Sequence, residues 1–156
     1  MVLKMEKVSQ SDLDEVIRFA IEVFTEEQHI PDQMVPISEE RDPIWWCAKA
    51  DGHLIGVSAA WKETGQWHWG RFAIDKKMRG LGIGKKMASF CLNEIFLLGA
   101  ENIFMEARDI TVKLLEPFGT EITGEPMDFF GEVVTPINIK KEVFLKNKVC
   151  NHLKIV

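Results

Sequence analysis

Two stretches of this chain carry apolar residues at helical spacing, and several others carry them in the short runs typical of strands. Residues 3–8 can form a first strand. Ser11 suits the N-cap of a helix whose apolar positions Leu13, Val16, Ile17, Ala20 and Phe24 recur every three or four residues, a pattern that ends near Glu26. Residues 27–42, with Pro31, Pro36 and many acids, predict an irregular or partly helical excursion, a kind of segment that often carries function. Two strands at 44–50 and 54–63 are joined by Asp51-Gly52, which takes positive φ readily and so makes a tight hairpin. Thr64-Gly65 turns the chain into a strand at 66–74. From Ile83 the spacing becomes helical again through Met87, Phe90, Cys91, Ile95 and Leu98, with Gly99 placed to close the helix. A strand at 102–107, a short helix at 111–115 stopped by Pro117 and Gly119, and strand segments near Glu121 and at 132–139 follow. This order predicts a mixed α/β fold with one right-handed crossover between parallel strands.

Composition narrows the classes. No repeat or Gly/Ser/Pro-rich linker divides the 156 residues, so 1–156 is read as a single domain with a C-terminal tail from about residue 145. Hydrophobic and charged fractions of 46% and 28% sit near globular averages and exclude a disordered or fibrous chain. The longest charge-free stretch, 52–61, has ten residues, where a membrane span needs about 20. The N-terminus carries Lys4, Glu6 and Lys7, unlike a secretory leader, so a cytoplasmic protein with no membrane association is expected. Cys47, Cys91 and Cys150 form no CxxC pair and read as reduced, packing thiols, and no metal site is expected. A net charge of −5 argues against nucleic acid as a partner. The charge is nevertheless uneven: Lys76, Lys77, Arg79, Lys85 and Lys86 lie together with no acid among them after Asp75.

That basic run contains Arg79-Gly80-Leu81-Gly82-Ile83-Gly84-Lys85, with glycines at alternate positions between a strand and a helix. Glycine is needed where a backbone takes positive φ or approaches a ligand closely, and a helix N-terminus offers unpaired N–H groups to an anion. The pattern is that of a phosphate cradle. It is not a Walker A loop, since Gly80 stands four residues before Gly84 and Lys86 occupies the place of the Mg²⁺-binding hydroxyl. Nor is it the dinucleotide fingerprint, because Lys85 replaces the third glycine and the loop follows a mid-domain meander.

The RxxGxG pattern, preceded by the strand end Phe72-Ala73-Ile74, resembles the acyl-CoA-binding signature of the GNAT superfamily of N-acetyltransferases, and the element order from about residue 4 to 144 is similar to that fold. A further resemblance, to a subgroup with a VFxxEQxxP segment, lies in Val23 to Pro31, and is echoed by Arg71 before the strand end and by Gly124-Glu125, Gly131 and Pro136. The resemblance implies a mixed, mostly antiparallel sheet of six to seven strands, helices on both faces, and a splayed pair formed by the fourth and fifth strands. It implies that Arg79, Gly80, Leu81, Gly82, Ile83, Gly84 and Lys85 bind the pyrophosphate of acetyl-CoA, and that the main chain near Ile74 stabilises the oxyanion as an amine attacks the thioester directly. The family's usual proton donor, a tyrosine in the short helix after the fifth strand, is absent: the chain has no tyrosine, and matching Gly119 and Gly124 to the family's GFxxxG puts Leu115 at that place.

His68 is the leading candidate base, on the face opposite Trp67 and Trp69 if the strand alternates without a bulge, and its alternative reading is a surface or hydrogen-bonded histidine. Glu27 is the alternative base or a solvated carboxylate. Arg71 and Gln28 are candidates for binding substrate, although for Arg71 a structural pairing with an acid such as Glu27 is the favoured reading. The five tryptophans read as core more than as pocket lining. The expected activity is acetyl transfer to an amine of a small molecule or peptide, with a non-catalytic acyl-CoA-binding module as the alternative. The lysine-rich segment 140–156 reads as a solvated edge or tail and a candidate homodimer contact.

Overall fold

In the computed structural model, which describes residues 1–147, eight strands form one sheet in the order β1-β2-β3-β4-β5-β8-β6, with β7 also paired to β8. The strands are β1 (Leu3–Lys7), β2 (Ile44–Ala50), β3 (His53–Glu63), β4 (Gln66–Ile74), β5 (Asn102–Arg108), β6 (Glu121–Ile122), β7 (Met127–Phe129) and β8 (Glu132–Lys140). Helix α1 (Leu13–Gln28) precedes β2, α2 (Ile83–Leu97) connects β4 to β5, α3 (Asp109–Leu115) follows β5, and residues 141–147 are helical. All pairings are antiparallel except β4 with β5. The sheet therefore has the expected character, with the two short strands β6 and β7 raising the count to eight.

Helices cover both faces. On one, Val16, Ala20 and Phe24 of α1 pack on Trp45, Cys47, Val57, Ala59, Trp61 and Ala73; on the other, Met87, Cys91, Leu92 and Ile95 of α2 pack on Trp46, Ala48, Trp69, Ile74 and Ile103. Neighbours such as Trp45 and Trp46 point to opposite faces and both are buried, which is why β2 shows no polar alternation. Each large side chain so buried contributes about 1.5–3 kcal/mol.

Three local expectations change. Ser11 does not cap α1: Asp12 holds the N-cap position after a 3₁₀ turn, and the Ser11 hydroxyl meets that of Ser9. Leu98, counted on the apolar face of α2, is the residue past its last turn and is more than half exposed. The C-terminal segment is not solvated from residue 140, because Phe144 is fully buried against Phe96 and Phe118. Most of the expected tail and of the suggested dimer contact, 148–156, together with Cys150, lies outside the described residues.

Candidate active site

The glycine loop begins where β4 ends. A 3₁₀ turn at Lys76–Met78, held by the Asp75 carboxylate accepting from the Lys77 amide at 3.0 Å, directs the chain into Gly80 and Gly82, both with positive φ (82° and 78°), and α2 starts at Ile83. Among the described residues, the main-chain amides from Gly80 to Lys85 donate to no protein group, and Lys86 is the first to bond back, to the Gly82 carbonyl. The loop thus presents a row of unpartnered N–H groups at the positive end of a 15-residue helix. Beside it lies a cavity of about 330 Å³, lined among others by Ile74, Gly82, Gly84, Lys85, Thr111 and Leu114. Ile83 is buried beneath the loop and Leu81 is exposed at its tip.

Arg79 departs from the expected role of a phosphate contact. Its Nε donates to the Ile74 carbonyl at 3.0 Å and its Nη2 to Glu27 Oε2 at 2.6 Å, so its guanidinium ties the loop to the end of β4 and to the last turn of α1. The same arrangement commits Glu27, the alternative base, to an ion pair. Gln28, next in the chain, is 6% exposed.

The parallel pairing of β4 with β5 consists of Trp67 with Ile103 and His68 with Phe104, and beyond these residues the two strands separate. Ile74 lies on the separated part. The Asp75 amide bonds across to Ile55 of β3, so main-chain alternation turns the Ile74 N–H and C=O the other way, into the gap, where Arg79 takes the carbonyl.

A second cavity, about 340 Å³, occupies the other side of the gap, lined by residues including Trp61, Glu63, His68, Arg71, Glu106 and Arg108. The two cavities share Gln28, Phe72, Arg108 and Thr111, which mark the place where they meet. His68 faces the second cavity from between the rings of Trp61 (centroids 6.0 Å apart, stacked) and Phe104 (5.9 Å), with Nε2 3.8 Å from Glu63 Oε2. Glu63 also takes an ion pair from Arg41 at 2.8 Å and the Trp61 indole N–H at 3.2 Å.

A bulge shapes this wall. Between the pairs Val57–Ala73 and Ala59–Gly70, β4 holds one residue more than β3, and Arg71 takes a left-handed φ of 53° to accommodate it. His68 accordingly lies opposite Trp67 and Trp69, as simple alternation predicts, while Phe72 and Ile74 return to the face of Trp69. Arg71 does not pair with Glu27. It donates through Nε to the Val35 carbonyl (2.8 Å) and through Nη2 to the Met34 carbonyl (3.2 Å), and its guanidinium lies 5.1 Å over the Trp61 ring. Burial pushes its pKa below the usual arginine value, and Arg41 adds repulsion that Glu63 and Glu106 oppose.

Leu115 has no place in either cavity. It is completely buried in the core, and α3 instead presents Ile110, Thr111 and Leu114 to the cavity beside the glycine loop. Sequence reasoning missed Arg108 and Thr111, although a charged residue at the end of a strand expected to splay is a usable signal. It also missed Arg41 and Glu63. Trp61 and Trp69 line the second cavity while belonging to the two cores, so pocket and core are not exclusive readings of these tryptophans.

The model of the acetyltransferase (GNAT) family matches residues 13–119. No curated protein matches the chain in sequence. Among solved structures, ElaA of Escherichia coli superposes with a TM-score of 0.77 at 16% identity, covering 89% of this chain and 100% of its own. YncA of Salmonella typhimurium, solved with its cofactor acetyl-CoA, gives 0.70 at 13% identity, covering 90% and 94%. The PaiA N-acetyltransferase of Thermoplasma acidophilum, solved with coenzyme A, gives 0.66 at 15% identity, covering 90% and 99%.

Proposed function

Because the chain belongs to the acetyltransferase (GNAT) family, we propose that it transfers the acetyl group of acetyl-CoA to an amine of a small molecule or peptide within one ternary complex. The observation that carries this reading is the meeting of two cavities at the splay of β4 and β5, one bounded by the unpartnered amides of the glycine loop and the other by His68. When bound, acetyl-CoA supplies a thioester open to direct attack. The amides of Gly80 to Lys85 suit its diphosphate, with Lys85 adding charge. The Ile74 N–H, turned into the gap, is placed to donate to the acyl oxygen.

The acceptor has to lose a proton. An amine of pKa about 10.4 is neutral only about 0.04% of the time at pH 7, equivalent to ~4.6 kcal/mol, so a positioned base is useful. His68 takes that part: its imidazole lies on the acceptor side, with Nε2 3.8 Å from the Glu63 carboxylate. Glu27 acts through Arg79, holding the loop.

A second reading, a module that binds acyl-CoA without turnover, is favoured by one observation: the chain has no tyrosine, and α3 lines the cavities with Ile110, Thr111 and Leu114, of which Thr111 alone carries a hydroxyl. Calorimetric titration with acetyl-CoA and thiol release over a panel of amines decide between them. Binding with release, reduced by about 10²-fold or more in His68→Ala, supports the transferase. Binding without release supports the module, and absence of binding removes both.

A further inference from the structure

The acceptor-side cavity holds more positive charge than its own acids neutralise. Of its three arginines, Arg41 is paired with Glu63. Arg71 spends two donors on the carbonyls of Met34 and Val35 and, among the described residues, has no carboxylate within ion-pair distance and no partner for the rest of its fork. Arg108, at the end of β5, makes no ion pair and no side-chain hydrogen bond among the described residues, and it stands where the two cavities meet. Glu106, two residues earlier on the same face of β5, lines the acceptor cavity only. Burial desolvates the Arg71 guanidinium, which is costly to leave uncompensated, and the planar fork of Arg108 fits a carboxylate in two-point contact.

Resting on the acyltransfer reading above, we infer that the acceptor is a small amine bearing a carboxylate next to the amine, the α-amino acid being its simplest form, with Arg108 holding the carboxylate at the junction and Arg71 supporting it. The position of Arg108 dictates the spacing. A carboxylate held at the junction brings an amine on the adjacent carbon to the same place, at the open end of the cavity that Ile74 lines; a carboxylate many bonds from the amine would carry the amine away from it. Glu106 and His68 then face the ammonium side. The cavity volume of about 340 Å³ is at the small end of the range for small-molecule sites and suits a free amino acid.

The test compares α-amino acids with their own α-carboxamides, pairs that keep the side chain and differ in the charge that Arg108 would read, each rate being divided by the fraction of its own amine that is neutral at the assay pH because the carboxamide's amine has the lower pKa. Thiol release from acetyl-CoA is measured for both members, and in parallel the tryptophan fluorescence of Trp61 and Trp69 is followed as each is titrated into the CoA-loaded protein. The expected result is a kcat/KM, or with no turnover an affinity, at least about tenfold better for the acid. Arg108→Gln should erase that ratio and Arg108→Lys should keep part of it. Equal handling of acid and carboxamide by a protein that binds acetyl-CoA overturns this inference alone. So does an Arg108→Gln variant that lowers both members alike, since Arg108 would then serve the cofactor. Failure to bind acetyl-CoA removes the acyltransfer reading and this inference with it.

Discussion

At Gly84 the missing side chain keeps the cofactor-side cavity open. A Cβ there would lie 3.2 Å from Leu114 Cδ1 and 3.5 Å from Phe72 Cζ, tight for one methyl and impossible for a branched side chain without displacing the lining. The backbone itself does not demand glycine, since the residue sits in the first turn of α2 and helix propensity favours alanine by about 1 kcal/mol. Gly84→Ala should therefore fold normally and bind acetyl-CoA somewhat more weakly, and Gly84→Leu should lose about 100-fold or more in affinity, read by calorimetry alongside thermal melts. Wild-type affinity in a folded Gly84→Leu would mean that this cavity is not where the cofactor lies. The glycine spacing was legible because glycine reports either a backbone requirement, as at Gly80 and Gly82, or a close approach, as at Gly84. The direction of Arg79 was not, because a cation in a basic run carries no information about which way it points, and here it turns inward to Ile74 and Glu27.

Between elements, the decisive contact is the one that fastens the excursion after α1 onto β4. Arg71 reaches the carbonyls of Met34 and Val35 from a bulged, left-handed position, and the fastened segment forms one side of the cavity that His68 faces. Arg71→Ala should destabilise the protein by about 1–3 kcal/mol and, by hydrogen exchange, accelerate amides within residues 30–42 more than those of α2. Arg71→Lys should not restore them, because one ammonium cannot reproduce the fork and the stacking on Trp61. Arg71→Gly should cost less stability than Arg71→Ala, since glycine relieves the positive φ, yet leave the segment equally loose. Unchanged exchange in all three would show that Ile30 and Val35, both buried, hold the segment alone. The bulge also explains how far alternation could be read along β4. Up to Gly70 the count from sequence is right; past Arg71 it inverts, and apolar residues such as Phe72, Ala73 and Ile74 suit either covered face equally, so no polar residue betrayed the shift. The offset of α3 has the same origin: a seven-residue helix stopped by Pro117 and Gly119 fixes the presence of a turn but not its rotation, and Leu115 turned into the core.

For the molecule as a whole, a sheet buried on both faces should open cooperatively, and Cys91 offers a way to see it. Its thiol lies fully buried under α2 and accepts a hydrogen bond from the Ser58 hydroxyl at 3.2 Å, and burial pushes its pKa from 9.0 up to about 12, with the Ser58 bond opposing. The folded state thus keeps a proton that the unfolded chain gives up near pH 9. The resulting stability is fully present below pH 9 and is lost as pH rises toward 12, by an amount on the order of 4 kcal/mol. Cys47, also buried, is shifted in the same direction. Urea unfolding between pH 8 and 11 should show this decline, and Cys91→Ala should flatten it while costing a constant ~1–3 kcal/mol for the Ser58 hydroxyl left without its partner. Deprotonation of surface lysines acts on both proteins alike, so the difference between their slopes isolates the thiol. In a Cys150→Ser background, labelling of Cys91 by a thiol reagent should follow the global unfolding equilibrium as urea is raised. Labelling that is fast in native buffer, or equal alkaline slopes in the two proteins, would mean that α2 parts from the sheet without unfolding the rest, and the two cores would then be separate cooperative units.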